Sequence, residues 1–277
     1  MTPGLVERLS RWLRCPVCEK ALLPAPPLAL RCTDGHSFDA NKRGFATLVP
    51  SNDRMVGDDA AMLDDRAAFL AEGHYSPIAA AVADAAAGGR AVLDAGCGTG
   101  YYLGAVLDAG DSVDALAMDL SPDAVRRTVR ATGSVGLVAD TWRPLPIRTA
   151  SSDVVLDVFA PRNLPEFHRV LSDDGRLIVV VPTAEHLREL RAEGRAIGIP
   201  SDKVDAVIAD AAPLFSPAAV VRVDFAMTLT GESIDRLVGM GPSAHHRQAT
   251  VASGMDDGPA TAMTVCASVD VMTLVKP

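Results

Sequence analysis

From Arg90 onward, short apolar runs alternate with amphipathic stretches, and this pattern leaves few folds open to the chain. Ala91-Val92-Leu93-Asp94 reads as a first buried strand, and further strands are predicted over 113–119, 136–139, 153–159 and 176–181. A helix is predicted over 122–130, behind Ser121 as N-cap and with Pro122 in its first turn. Alternation of this kind predicts parallel strands joined by helical crossovers on both faces of one sheet. The tail adds two β-rich runs, 220–229 and 262–274, around a helix predicted over 232–238. The expectation is an α/β, Rossmann-like, doubly wound sheet of seven strands whose last strand runs antiparallel.

The first strand runs directly into Asp94-Ala95-Gly96-Cys97-Gly98-Thr99-Gly100. Glycines after a strand let the backbone turn sharply and lie against a ligand. Dinucleotide enzymes carry G-x-G-x-x-G at this place, whereas this loop reads G-x-G-x-G behind an acidic residue. It resembles the first motif of class I methyltransferases, in which the loop packs against the methionine part of S-adenosylmethionine. Asp119 ends the second strand, where a carboxylate accepts hydrogen bonds from both ribose hydroxyls. That role suits S-adenosylmethionine and a nicotinamide cofactor alike. Asp140 ends the third strand and matches the position near the adenine amino group. An ordinary helix N-cap is the competing reading of either aspartate. His168 to Arg176 resembles the helix-turn-strand signature that precedes the fifth strand of this class.

The first forty residues carry a different chemistry. Cys15-Pro16-Val17-Cys18 is a C-x-x-C knuckle, and Cys32 with His36 forms a second ligand pair. Two such pairs complete the closed tetrahedron of structural Zn2+, with no open position for catalysis. Short, proline-rich sequence lies between them, too little to build a core, so the metal is expected to drive folding of this segment. A redox C-x-x-C would follow a strand in a βαβ unit, and nothing before Cys15 reads as one. Cys97 and Cys266 read as small core residues.

Charge is unevenly placed. The chain carries a net −9, yet residues 1–56 hold eight basic and five acidic side chains, a net +3 that leaves −12 on the rest. A basic head on an acidic body permits RNA binding through the head. Aromatics make up 4% of the chain, too few for broad stacking platforms for single strands. The strongest apolar run, 177–181, is far too short for a membrane span, and the charged N-terminus does not read as a secretory signal. The expectation is a cytoplasmic protein with no membrane partner.

Together the two halves resemble one family, the 23S ribosomal RNA guanine-N1-methyltransferases. The resemblance runs through Cys15-Pro16-Val17-Cys18, Cys32, Gly35-His36-Ser37-Phe38-Asp39 and Lys42-Arg43-Gly44-Phe45. It continues through Gly57-Asp58, Met62, Arg66, Phe69-Leu70 and Gly73-His74-Tyr75, then the glycine loop with Tyr101-Tyr102, Ala160-Pro161 and His186-Leu187. It covers roughly the first two-thirds of the chain. By that resemblance Tyr75, Thr99, Gly100 and His186 touch the cofactor, alongside Asp94, Gly96, Gly98, Asp119 and Asp140. The zinc head helps hold an RNA hairpin loop. The sequence leaves the oligomeric state open, with a homodimer as one alternative. Met240 to His246 looks more like the branch tied to resistance against tylosin-type macrolides. Phe45 and Thr99 depart from the residues frequent in the family, and the last third matches less densely. The implied organisation is a zinc-ribbon RNA-recognition head over 1–50, a helical linker over 51–85 that contributes to the cofactor site, and a methyltransferase domain over 86–277.

Guanine N1 must lose its proton before it can accept a methyl group, so a base or an O6-stabilising network is expected. His186, His245 and His246 are the candidate bases, and Arg66 and Arg162 candidate contacts to phosphate or O6, each weighed against an ordinary scaffold role. The rivals are a small-molecule methyltransferase with a structural zinc cap, a non-catalytic zinc module that binds RNA or protein, and a nicotinamide enzyme.

Overall fold

The computed structural model describes residues 4–49, 57–196, 198, 200, 203–241 and 262–277. Five strands form where the apolar runs fall: β5 (Ala91–Ala95), β6 (Asp114–Asp119), β7 (Val135–Val138), β8 (Ser152–Val158) and β9 (Leu171–Pro182). Their interior positions are almost all buried, as parallel strands covered on both faces must be. The tail supplies β10 (Ser216–Leu229) and β11 (Met263–Val275). These seven strands lie in the order β7-β6-β5-β8-β9-β11-β10. The first five are mutually parallel, and β11 inserts antiparallel between β9 and β10.

Helices cover both faces. One carries α1 (Leu5–Trp12), α6 (Leu164–Val170) and α8 (Lys203–Ala211), whose Leu9, Trp12, Phe167, Val170 and Val207 pack with Leu93, Leu116 and Val155. The other carries α2 (Ala60–Ala71), α3 (Ser76–Ala86), α4 (Tyr101–Ala109), α5 (Pro122–Thr132), α7 (Arg188–Ala192) and α9 (Gly231–Gly239). From these, Phe69, Ile78, Val82, Leu103, Val125, Leu190 and Ile234 pack with Val92, Ala117 and Val154. The expected helix after Ser121 forms as read, with the Ser121 hydroxyl accepting from the Ala124 amide and Gly133 closing the helix at φ 70°.

The sheet does not stop at seven strands. The head folds as β1 (Leu23–Ala25), β2 (Ala29–Arg31), β3 (Ser37–Asn41) and β4 (Phe45–Thr47), and β4 pairs in parallel with β7. The result is one eleven-stranded sheet, order β1-β2-β3-β4-β7-β6-β5-β8-β9-β11-β10. Pairing needs Gly136 in β7, because a Cβ there would overlap the Val125 side chain and lie 2.8 Å from the Phe45 Cβ. Further ties come from Arg14 N–H donating to the Pro146 carbonyl and Arg148 N–H to the Trp12 carbonyl. The ribbon is therefore built into the same sheet as the glycine loop. The periodicity of β4 could not reveal this, because a three-residue strand has too few positions to specify a partner.

Candidate active site and metal centre

The glycine loop leaves the C-terminal end of β5 beside the point where strand order reverses from β5-β6 to β5-β8, the ligand crevice of open α/β sheets. Gly96, Gly98 and Gly100 all adopt positive φ (89°, 51° and 83°), a conformation that L side chains rarely take. The Gly96 and Cys97 amides donate to the Met118 carbonyl, and the Gly98 amide donates to Asp119 Oδ2 at 3.0 Å. Asp119 also accepts from the Ser121 amide at 2.9 Å. Its side chain thus locks the loop to the end of β6.

Asp94 is 4% exposed, and burial together with the Asp119 charge pushes its pKa up to about 7. Burial likewise raises Asp119. Two desolvated carboxylates beside one crevice favour a cationic ligand and disfavour a pyrophosphate, which fits S-adenosylmethionine better than a dinucleotide. Asp140 sits at the end of β7, half-buried, accepting from the Trp142 amide at 2.9 Å. Thr99 is half-buried within the loop.

Opposite lies an aromatic cluster. Tyr75, 3% exposed at the start of α3, meets His186 with an Oη to Nε2 distance of 3.3 Å. His186 Nδ1 accepts the Ser268 amide at 3.2 Å, so the neutral ring carries its proton on Nε2 and donates it to Tyr75. Burial lowers the His186 pKa to about 4. With both nitrogens engaged, this histidine has no free lone pair for guanine N1, which argues against the basic role expected of it and for a fixed scaffold. His245 and His246 lie outside the described residues.

Phe159 is a site residue that sequence reasoning passed over. It follows β8, has φ 55°, is 41% exposed, and its ring lies 6.2–6.5 Å from those of Tyr75, Tyr102 and His186. The signal was an aromatic placed between a buried strand and Ala160-Pro161 in a chain poor in aromatics. Asp157, fully buried two residues earlier, is held by Arg162 at 3.5 Å. Arg162 is therefore committed to the turn.

The metal centre forms as the spacing predicts. Cys15, Cys18, Cys32 and His36 place their ligand atoms within 4.8 Å of one another. The edges are 3.6 Å for Cys18 Sγ to Cys32 Sγ, 3.6 Å for Cys15 Sγ to His36 Nδ1 and 3.3 Å for Cys32 Sγ to His36 Nδ1. A tetrahedron with Zn–S bonds of about 2.3 Å has edges of about 3.7 Å, so the donor set fits structural Zn2+. Each pair is closed by a left-handed residue, Glu19 at φ 61° and Gly35 at φ 87°. Cys97 is buried, as expected, and Cys266 is half-buried in β11.

The fold, the glycine loop and the paired aspartates define a class I, S-adenosylmethionine-dependent methyltransferase. The family described as methyltransferase domain matches residues 92–175, and the family described as RlmA, N-terminal, matches residues 13–55. A Streptomyces fradiae protein named 23S rRNA (guanine(748)-N(1))-methyltransferase is 37% identical over 248 residues, 87% of this chain and 88% of that protein. A Micromonospora griseorubida protein with the provisional name 23S rRNA (guanine-N(1)-)-methyltransferase is 44% identical over 271 residues, 89% of this chain and 90% of its own length. A Bacillus subtilis protein (YxjB) of the same provisional name is 31% identical over 248 residues, 83% of this chain and 86% of its own. The chain belongs to the 23S rRNA (guanine-N1)-methyltransferase family.

Proposed function

We propose that this enzyme transfers a methyl group from S-adenosylmethionine to N1 of a guanine in a hairpin loop of 23S ribosomal RNA. The observation that carries the reading is the junction of β4 with β7, which joins the basic ribbon to the sheet that bears the donor crevice. In this reading residues 1–50 recognise RNA, 51–85 complete the cofactor site and 86–277 hold the donor. Cys15, Cys18, Cys32 and His36 hold the zinc. Asp119 meets the ribose and Asp140 the adenine, while Gly96, Gly98, Thr99 and Gly100 approach the methionine part. Tyr75 and His186 close the pocket as a hydrogen-bonded pair.

Bound S-adenosylmethionine supplies an electrophilic methyl group for in-line displacement. The protein's share is positioning and exclusion of water. Phe159 offers an aromatic face at the crevice mouth, on which an unpaired guanine stacks once freed from its neighbours. The exposed Arg31, Lys42 and Arg43 of the ribbon bind backbone phosphates. Modification of a guanine at a macrolide site would confer resistance of the tylosin type. No helix among the described residues is long and apolar enough to cross a membrane. A ribosomal RNA substrate would place the enzyme in the cytoplasm. Self-association is supported by β10, an outer strand with Val220 and Val221 exposed.

The test is methyl transfer from labelled S-adenosylmethionine to unmodified 23S ribosomal RNA, mapped by reverse-transcriptase stops. A stop at one hairpin-loop guanine, absent with Gly98→Arg, is the expected result. No incorporation by a zinc-loaded, cofactor-binding enzyme would move the activity to a small-molecule acceptor.

A further inference from the structure

The described charged side chains gathered around the glycine loop are mostly acidic. Asp94 and Asp119 lie beneath it, and Asp58 lies above, where its carbonyl accepts the Ser121 hydroxyl at 3.0 Å. S-adenosylmethionine carries cations at sulfur and at the amino group, which suit this setting, but it also carries one carboxylate. That carboxylate needs a donor of opposite charge.

Arg66 is the cation placed there. It projects from α2 over the loop, so that a Cβ on Gly98 would lie 3.2 Å from its Nη1 and 3.7 Å from its Cδ. Its side chain is 26% exposed, and the guanidinium is ion-paired to Asp58 through Nη1 and donates from Nη2 to the Met240 carbonyl at 2.8 Å. These two bonds aim the group and leave its remaining N–H donors uncommitted among the described residues. Its charge is felt at Asp119 and Tyr102, on two sides of the crevice. The neighbouring arginines are otherwise engaged, Arg127 with Asp64 and Arg162 with Asp157.

We propose that Arg66 is the ligand for the methionine α-carboxylate of the cofactor, held over the glycine loop by Asp58 and by the end of α9. The inference rests on the methyltransferase reading and adds to it a residue from the helix that links the ribbon strands to β5. A planar guanidinium matches a carboxylate in two parallel hydrogen bonds, which an ammonium cannot reproduce.

Equilibrium titration of the zinc-loaded full chain, without RNA, tests this directly. The probes are S-adenosylhomocysteine and its decarboxylated form, which keeps the amine and the adenosine. Arg66→Met is expected to weaken S-adenosylhomocysteine by about 10- to 100-fold and the decarboxylated ligand by less than about twofold. Arg66→Lys is expected to recover part of the loss. Asp58→Asn, which releases the guanidinium from its partner, is expected to keep or increase the preference for the carboxylated ligand, and so provides a reading even where Arg66→Met is unstable. Equal losses for both ligands would make Arg66 a structural strap and overturn the proposal. Unchanged binding of both, with a loss confined to RNA, would assign Arg66 to backbone phosphate and overturn it too. A wild-type chain that binds neither ligand would overturn the methyltransferase reading itself.

Discussion

Asp94 and Asp119 project from the same face of neighbouring strands, the face on which Val92 and Ala117 are also buried. Each raises the cost of charging the other. Because the folded-state pKa of Asp94 is about 7 against an ordinary 3.8, its contribution to stability is full below 3.8 and is lost as pH rises to 7. Asp94→Asn is therefore expected to be more stable than wild type at pH 8, by on the order of 4 kcal/mol, with the difference vanishing near pH 4. Denaturant titrations across that range check it. Wild-type protein is also expected to release protons when it binds S-adenosylmethionine at pH 7, seen as a buffer-dependent enthalpy, because a cationic ligand lowers both carboxylates. His186 has the opposite sign. A histidine lowered to about 4 contributes stability above 6.5 that fades as pH falls toward 4, and His186→Gln should flatten that limb of the stability profile. The glycines and terminal aspartates of this site were legible because backbone conformation and strand ends restrict residue type. Arg66, Phe159 and the Tyr75–His186 pair were not legible as a geometry, since they come from four separate segments and meet only through packing.

At the scale of elements, the decisive junction is β4 against β7. The Gly136 amide donates to the Gly44 carbonyl at 2.9 Å and the Leu48 amide to the Val138 carbonyl at 3.0 Å. Three-residue strands such as β2 and β4 are too short to persist alone, and zinc binding supplies apparent free energies of about 10–16 kcal/mol in ribbons of this size. Metal removal by a chelator, or Cys32→Ser, is expected to strip hydrogen-exchange protection from the Gly136 and Leu48 amides while β5 and β8 stay protected. Retained protection at Leu48 without metal would show that the β4–β7 ladder holds by itself. Gly136→Val is expected to give the same pattern with zinc still bound, since its side chain would overlap Val125, Val129 and Phe45.

Across the whole molecule, charge is divided along one continuous sheet, with the basic ribbon at one edge and the acidic body beyond it. An RNA that docks on the ribbon is steered by local potential, despite the net −9. Lys42→Ala with Arg43→Ala is expected to weaken RNA binding and to reduce the slope of log affinity against log salt by about 0.7 for each phosphate no longer neutralised. S-adenosylmethionine affinity should not change, because both residues lie outside the crevice. A variant with an unaltered salt slope would place the RNA elsewhere.

Local sequence was enough to establish the succession of strands from Arg90 onward, the helix behind Ser121 and the one around 232–238, the four zinc ligands and the acidic glycine loop, but not α4, α7 or α8. Each legible feature is written in short-range periodicity or in fixed spacing between chemically committed residues. Packing in three dimensions settled that the ribbon extends the sheet, that His186 is spent on Tyr75 and the Ser268 amide, and that Arg66 reaches back over Gly98. Those outcomes depend on which backbone edges and side chains meet after collapse. In this chain the partners lie as far apart as 111 residues, for Tyr75 and His186, and 174, for Arg66 and Met240. No local pattern encodes pairings of that range.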